Sequence, residues 1–133
     1  MAKSCDPRQS ILPVPRTFLA RVAPIWVLAL VIGSILPEDA KVAIGTHYQH
    51  RLYHLLSFGS TAYLLTLIAR TARERLYALL FVIALGAALE FSQHGIFGNP
   101  IEWWDIRDDT LGAFAAALLS QWAALRQKLV RQA

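Results

Sequence analysis

Residues 86–112 read GAALEFSQHGIFGNPIEWWDIRDDTLG, and this stretch decides the fold because an apolar, helix-like run meets a polar cluster in it. Glu90, Gln93 and His94 lie near the end of the run, and a loop with two adjacent tryptophans follows. A carboxylate within a membrane-spanning segment costs roughly 3 kcal/mol at the bilayer centre, so Glu90 indicates a functional position. Four acids then precede the next apolar run: Glu102, Asp105, Asp108 and Asp109.

The composition of the chain is that of an integral membrane protein. Hydrophobic residues make up 56% of its 133 residues and charged residues only 17%, whereas soluble domains carry about 25% charged residues. The net charge of +4 arises from basic clusters that flank apolar runs, and the chain has no nucleic-acid-binding motif, so we expect no nucleic-acid partner. Cys5 is the single cysteine, which excludes an intrachain disulfide and a cysteine-based metal site.

Four apolar segments follow one another along the chain, and each approaches the ~20 residues that a helix needs to cross ~30 Å of hydrocarbon. The first ends at Leu36-Pro37 without a small-residue cleavage pattern, which favours a spanning helix over a cleaved signal peptide. The sequence therefore predicts an all-α integral membrane bundle of four transmembrane helices that forms one domain over residues 17–125. A basic tail precedes it at 1–16 and another follows it at 126–133. The predicted helices cover residues 17–36, 47–69, 76–95 and 105–125.

The distribution of basic residues predicts the orientation of the bundle. Ten of the thirteen lie in the two tails, at the start of the first segment or in the turn at 70–75. The other three, Lys41, Arg51 and Arg107, lie towards the opposite ends of the segments. By the positive-inside rule, both termini are therefore cytoplasmic, and the loops that follow the first and third segments face outward.

This orientation brings polar side chains from three helices to the outer end of the bundle. With a rise of 1.5 Å per residue, Glu90 lies roughly 8 Å below Gly95, at a depth comparable to that of His54. We identify His54, Glu90 and Asp105 as candidate catalytic residues, because a histidine and buried carboxylates can exchange protons or bind a cation. The candidate substrate-binding residues around them are Arg51, Gln93, His94 and Asp109.

Each candidate carboxylate also has a purely structural interpretation. Glu90 would hold the bundle together if it paired with Arg51 or Arg107. Asp105 and Asp109 would cap the N-terminus of the last helix and complement its dipole. However, like charges four residues apart on a helix repel each other unless a cation lies between them.

The sequence assigns no cofactor and no metal ligand. It contains no His-Glu-x-x-His pattern, no Gly-x-Ser-x-Gly pattern and no phosphate-binding glycine loop. A metal site would have to be assembled across helices from His54, Glu90, His94 and Asp105.

Four short motifs follow one another along the predicted helices: Ser34-Ile35-Leu36-Pro37, Arg51-Leu52-Tyr53-His54, Glu90-Phe91-Ser92-Gln93 and Asp105-x-x-x-Asp109-x-x-Gly112. In this order and spacing, over residues 34–119, the chain resembles the VanZ-like family of small bacterial membrane proteins, which is named for an accessory protein of teicoplanin resistance. The chain differs from the family pattern at His50, Arg51 and Asp109, where the family has Asp, Lys and Asn. The resemblance implies a protein of the bacterial inner membrane that acts on the cell envelope and in antibiotic resistance.

Three functions are compatible with these observations. The first is an outward-facing site that binds or modifies a cell-envelope component, such as a lipid-linked or cationic headgroup, with Glu90 and His54 as acid and base or as ligands. The second is a non-catalytic accessory protein that partners another membrane protein, in which the polar residues hold the bundle together. The third is an ion- or proton-coupled transporter, which is less favoured because the first and fourth segments lack charges at mid-depth.

Overall fold

The computed structural model describes residues 15–36 and 50–132. Over these ranges the chain is all-α, as predicted, with four helices and no strand. Most of the N-terminal tail and of the first outer loop lies outside the described residues. The helices are α1 (Arg16–Ser34), α2 (His50–Ile68), α3 (Ala72–Phe97) and α4 (Trp103–Gln132).

Two of the described helices, α1 and α3, are long and apolar enough to cross a membrane. Both helices are largely exposed on the surface of the protein. Only 6% of the apolar stretch of α1 and 22% of the apolar stretch of α3 are buried. Over the described residues, α2 and α4 are not apolar enough to qualify as membrane-crossing helices by length and composition. Histidines and hydroxyl residues lower the hydropathy of α2, and a charged first turn with a polar C-terminal part lowers that of α4.

Local sequence signals explain where α3 begins and ends. Its first turn starts earlier than predicted, because Thr71 and Glu74 form a capping box: the Thr71 hydroxyl accepts from the backbone N–H of Glu74, and the Glu74 carboxylate accepts from that of Thr71. At the other end, Gly98 adopts a left-handed conformation with φ of 71° and donates its N–H to the carbonyl of His94 at 2.9 Å.

The last helix, α4, is longer at both ends than the predicted segment. It starts at Trp103, and Asp105 lies in its first turn, where an acid complements the helix dipole as expected. It continues through residues 126–132, which the sequence analysis assigned to a basic tail. This extension contains only Arg, Gln, Lys, Leu and Val, with no glycine or proline to end a helix.

Helices α2 and α4 form the most extensive contact in the protein. Their backbones approach closely at Gly59 and Gly112, where a methyl group on Gly112 would overlap the carbonyl oxygen of Leu55. Small residues of α4 allow this close packing, and Ala113 and Ala116 are buried next to the contact. Helix α3 packs against both α2 and α4, whereas α1 packs mainly on α2.

Candidate functional site

The centre of the site lies between the N-terminal turns of α2 and α4. His54 places its Nδ1 2.9 Å from Asp109 Oδ1 and its Nε2 3.4 Å from Asp105 Oδ2. His50, one turn earlier on α2, lies with Nδ1 3.6 Å from the same Asp105 oxygen. The two helices run in the same direction, so the one-turn spacing of the histidines on α2 matches that of the aspartates on α4.

The ring of His54 lies between the carboxylates of Asp105 and Asp109, which would otherwise repel each other. Two carboxylates one turn apart repel each other, and both are buried, with 3% of each residue exposed. Each ring nitrogen of His54 faces one of these carboxylates. The imidazole therefore bridges the two acids, and three of the predicted site residues converge at one point.

Helix α3 packs against this cluster at Gly86. A Cβ atom on Gly86 would lie 2.7 Å from Asp109 Oδ2, so the absence of a side chain at this position lets the Asp109 carboxylate rest against α3. Gly86 precedes Glu90 by one helical turn. The Asp109 side chain of α4 thus lies against both α2 and α3, at the end of the bundle where the sequence predicts that polar groups of these three helices lie at one level.

Glu90 has a different partner from those considered in the sequence analysis. It is buried, with 5% of the residue exposed, and it accepts a hydrogen bond of 2.6 Å from the backbone N–H of Glu102. It therefore anchors the loop before α4 to α3. Arg51 and Arg107, the two residues considered as its ionic partners, bind another carboxylate instead.

That carboxylate belongs to Asp108. Arg51 donates from Nε to Asp108 Oδ2 at 2.7 Å, and Arg107 donates from Nη2 to Asp108 Oδ1 at 2.7 Å. Arg107 also lies over the ring of Trp104, with its guanidinium carbon 4.5 Å from the ring centroid. The Arg51 side chain is 65% exposed, so this ion pair lies at the rim of the site.

The structure separates Gln93 from His94, although they are adjacent in sequence. Gln93 donates from Nε2 to the carbonyl of Ser34 at 2.9 Å, which ties α3 to the end of α1. His94 is exposed and contacts the carbonyl of Asn99 in the following loop through Nδ1. His94 is therefore not brought into the cluster around His54, and its assignment as a candidate substrate-binding residue stays a prediction.

A cavity of about 300 Å³ opens beside the cluster, between α1 and α2. Most of its wall is apolar, including Trp26, Leu30 and Phe58. His50, His54 and other polar residues line its end near the first turn of α2. The cavity therefore joins an apolar space to ionisable side chains, and Glu90 does not line it.

The ligand-capable atoms of His50, His54 and Asp105 all lie within 4.8 Å of one another. The second carboxylate oxygen of Asp105, Oδ1, is buried and has no hydrogen-bond partner within residues 15–36 and 50–132. Such an orphaned buried oxygen is uncommon in folded proteins, where buried polar atoms are normally paired.

Sequence reasoning missed two members of the site, His50 and Asp108. The signal for His50 was its one-turn spacing from His54, which repeats the spacing of Asp105 and Asp109. The signal for Asp108 was charge: two arginines at the same level of the bundle require an acid that is not already paired with a histidine. Both signals are visible only when the two helices are considered together.

Comparisons of the chain with known protein families, curated proteins and solved structures find no match. The resemblance to the VanZ-like family therefore rests on the motif residues alone. Of these residues, His54, Asp105 and Asp109 converge, and Gly112 lies at a close backbone approach between α2 and α4.

Proposed function

We propose that this chain is a multi-pass protein of the bacterial inner membrane, in which four helices cross the bilayer and both termini are cytoplasmic. Large apolar side chains exposed on all four helices support this proposal, because soluble proteins rarely expose wide apolar patches. The clustering of basic residues supports the orientation. Examples of these exposed side chains are Ile25, Leu28, Leu52, Leu56, Leu80, Phe91, Leu118 and Leu119.

In this orientation, the cluster around His54 faces the outer side of the membrane, and the cavity between α1 and α2 opens towards the hydrocarbon. We propose that the cavity binds an amphiphilic component of the cell envelope. The apolar part of the ligand lies against Trp26 and Leu30, and its polar group contacts the histidines. The observation that carries this proposal is the cavity itself, which has apolar walls and ionisable residues at one end.

We further propose different roles for the three residues predicted as catalytic. We assign any proton transfer to His54, because it lines the cavity and because Asp109 orients its ring through Nδ1. Asp105 contacts the same ring from the other side. Glu90 is assigned a structural role, since it is buried against the backbone of Glu102.

The proposal is tested by filling the cavity. Gly33 lines the cavity, and a Cβ atom there would meet nothing within 4 Å, so Gly33→Leu adds volume without a clash at the point of attachment. Gly95→Leu is the matched control, because Gly95 also has open space but does not line the cavity. The readout is the amount of envelope lipid retained by the purified chain, measured by native mass spectrometry.

We expect the unmodified chain and the Gly95→Leu variant to retain an amphiphile at one molecule per chain. Gly33→Leu is expected to lower this retention by about tenfold or more, which corresponds to about 1.4 kcal/mol of lost binding free energy. Equal retention by the two variants would contradict the proposal, as would the absence of any retained amphiphile in the unmodified chain.

The second candidate is a non-catalytic accessory protein, and one observation favours it. Asp108, Asp109 and Glu90 are each paired within the chain, to arginines, to His54 and to a backbone N–H respectively. Such pairs lock helices together without any ligand. This candidate predicts that Gly33→Leu and Gly95→Leu behave alike, and that the function changes only with the amount of folded protein.

A further inference from the structure

We propose that His50, His54 and Asp105 form a binding site for a divalent transition metal of the zinc type. The inference does not depend on the proposed amphiphile, because α2 and α4 supply all three ligand residues. It goes beyond the sequence analysis, which assigned no metal ligand and did not include His50 among the site residues.

The first argument is the geometry of the three side chains. Four ligand atoms arranged tetrahedrally at ~2.1 Å from a zinc ion lie about 3.4 Å from one another. In this structure, Asp105 Oδ2 lies 3.4 Å from His54 Nε2 and 3.6 Å from His50 Nδ1. All three ligand atoms lie within 4.8 Å of one another, so the ligand nitrogens of the two histidines need to approach by no more than about 1.4 Å to complete the triangle.

The second argument is the unpaired oxygen of Asp105. Its Oδ1 atom is buried without a hydrogen-bond partner among the described residues, and only 3% of the residue is exposed. A buried carboxylate with one oxygen unpaired is unfavourable, whereas a cation bound at Oδ2 would compensate the charge that both oxygens share. The other buried acids nearby, Asp108 and Asp109, already have cationic or imidazole partners.

The third argument is the contact behind His54. Its Nδ1 atom lies 2.9 Å from Asp109 Oδ1. Histidine ligands of metals commonly donate their second ring N–H to a carboxylate, which fixes the tautomer and the orientation of the ring. With the proton on Nδ1, the lone pair of Nε2 points towards Asp105 and is available to a metal.

Two histidines and one carboxylate leave one position of a tetrahedral zinc ion open, which is the ligand pattern of sites that bind water or a substrate group. Both histidines line the cavity between α1 and α2. Access is present as well, because 30% of the His50 side chain and 15% of the His54 side chain are exposed. The open position therefore faces the cavity, where it would hold water or an oxygen atom of a polar headgroup.

The test is a titration of the purified full chain in detergent with Zn²⁺, after removal of metals with a chelator. Affinity is measured by competition with a chromophoric chelator, and Co²⁺ serves as a second probe because a four-coordinate Co²⁺ ion absorbs visible light. His50→Ala removes a ligand that is only half-buried, and Asp105→Asn keeps the shape of the carboxylate. His94→Ala is the matched control, because this exposed histidine lies outside the cluster.

We expect one Zn²⁺ per chain, bound equally well by the His94→Ala variant. His50→Ala is expected to weaken binding by more than about 100-fold, because loss of a direct ligand exceeds the 10–100-fold effect of losing a partner behind it. Asp105→Asn is expected to weaken it as strongly. Both variants should also lose the visible absorption of the Co²⁺ form.

Three results would overturn the proposal: no stoichiometric binding, binding that His50→Ala and Asp105→Asn leave unchanged, or an equal loss in His94→Ala. The second and third would identify an adventitious surface ion only. The zinc titration contains no added amphiphile, and the lipid-retention experiment contains no added zinc. Failure of the metal site and failure of the proposed envelope ligand are therefore distinguishable.

Discussion

The contact between α2 and α4 has two halves that are stabilised by different forces. In the polar half, the first turns of the two helices interlock through His50, His54, Asp105 and Asp109. In the small-residue half, which comes next along both helices, the backbones meet at Gly59 and Gly112, and the alanines Ala62, Ala113 and Ala116 are buried.

The small-residue half shows that these two helices can pack closely without any charged group. Close packing alone therefore does not account for the polar half, and desolvation of its carboxylates opposes folding. In the four-span topology that we propose, these ionisable groups lie within membrane helices, where such groups are rare and usually mark a binding or transport site. The difference between the halves is thus the strongest structural argument that the polar half serves a ligand.

The largest effect is expected from breaking the polar half at Asp109. In Asp109→Ala, His54 loses its 2.9 Å partner and a space opens against Gly86. Removing one member of a buried charged pair costs about 3–5 kcal/mol, so the free energy of unfolding in detergent should fall by roughly that amount. Denaturant unfolding followed by circular dichroism measures it.

The control for this prediction is Arg51→Ala, which removes an ion pair from the exposed rim. The Arg51 side chain is largely exposed, and the buried Asp108 carboxylate keeps Arg107 as a partner. The loss should therefore be about 1 kcal/mol or less, and this variant should stay close to the unmodified chain. Equal destabilisation by the two variants would show that the His54–Asp109 pair is no more important than a surface pair.

The next largest effect is expected from the small-residue half. In Gly112→Ala, the new methyl group would overlap the carbonyl oxygen of Leu55, and backbone cannot rotate away as a side chain can. We expect α2 and α4 to move apart, with a loss of about 2–3 kcal/mol in the free energy of unfolding. Thermal unfolding of the same purified chain in detergent provides the measurement.

Gly95→Ala is the control, because a Cβ atom there would meet nothing within 4 Å. Alanine favours a helix over glycine by up to about 1 kcal/mol, so this variant should be as stable as the unmodified chain or more stable. If Gly112→Ala were equally harmless, the close approach of the two helices would not contribute to the stability of the bundle.

The all-α class and the four helices were largely predictable from the sequence, because polar stretches near 70–75 and 98–102 separate the apolar segments. That all four helices cross a membrane stays a prediction. The helix ends were less predictable, since they depend on local interactions. The capping box of Thr71 and Glu74 starts α3 one turn early, and strong helix formers carry α4 through residues 126–132. The prediction that α2 and α4 cross a membrane rested on their apolar stretches. The helices of the structure also contain the polar residues at which α2 and α4 meet, and these lower their mean hydropathy.

The sequence predicts at which end of the bundle the site lies, but it does not predict which side chains pair there. The level follows from connectivity, because the first turns of α2 and α4 lie at the same end of the bundle. Pairing depends on the rotation of each helix about its axis, which periodicity alone does not fix. A rotation of about 100° separates Asp108 from Asp109 on α4, and it decides that Arg51 binds the first and His54 the second.

The smallest effect is expected at the opposite end of the bundle, at the start of α3. The hydrogen bond between Thr71 and Glu74 can be compared there with the buried pair of His54 and Asp109. Thr71→Ala removes the hydroxyl that accepts the Glu74 N–H at 3.1 Å, and loss of such a cap costs about 1 kcal/mol. Hydrogen bonds from the backbone N–H of Arg70 and from Thr71 hold the pKa of the exposed Glu74 carboxylate below its usual value. This group lies outside the predicted membrane segment 76–95.

A carboxylate whose pKa is lowered by folding stabilises the folded state above its unfolded pKa, and this contribution disappears as the pH falls through the folded pKa. The stability of the unmodified chain should therefore contain a small acid-sensitive part that Glu74→Gln removes. The measurement is unfolding of both chains between neutral and acidic pH. An unchanged difference in stability between them across this range would show that the Glu74 carboxylate does not contribute to the capping box as a charged group.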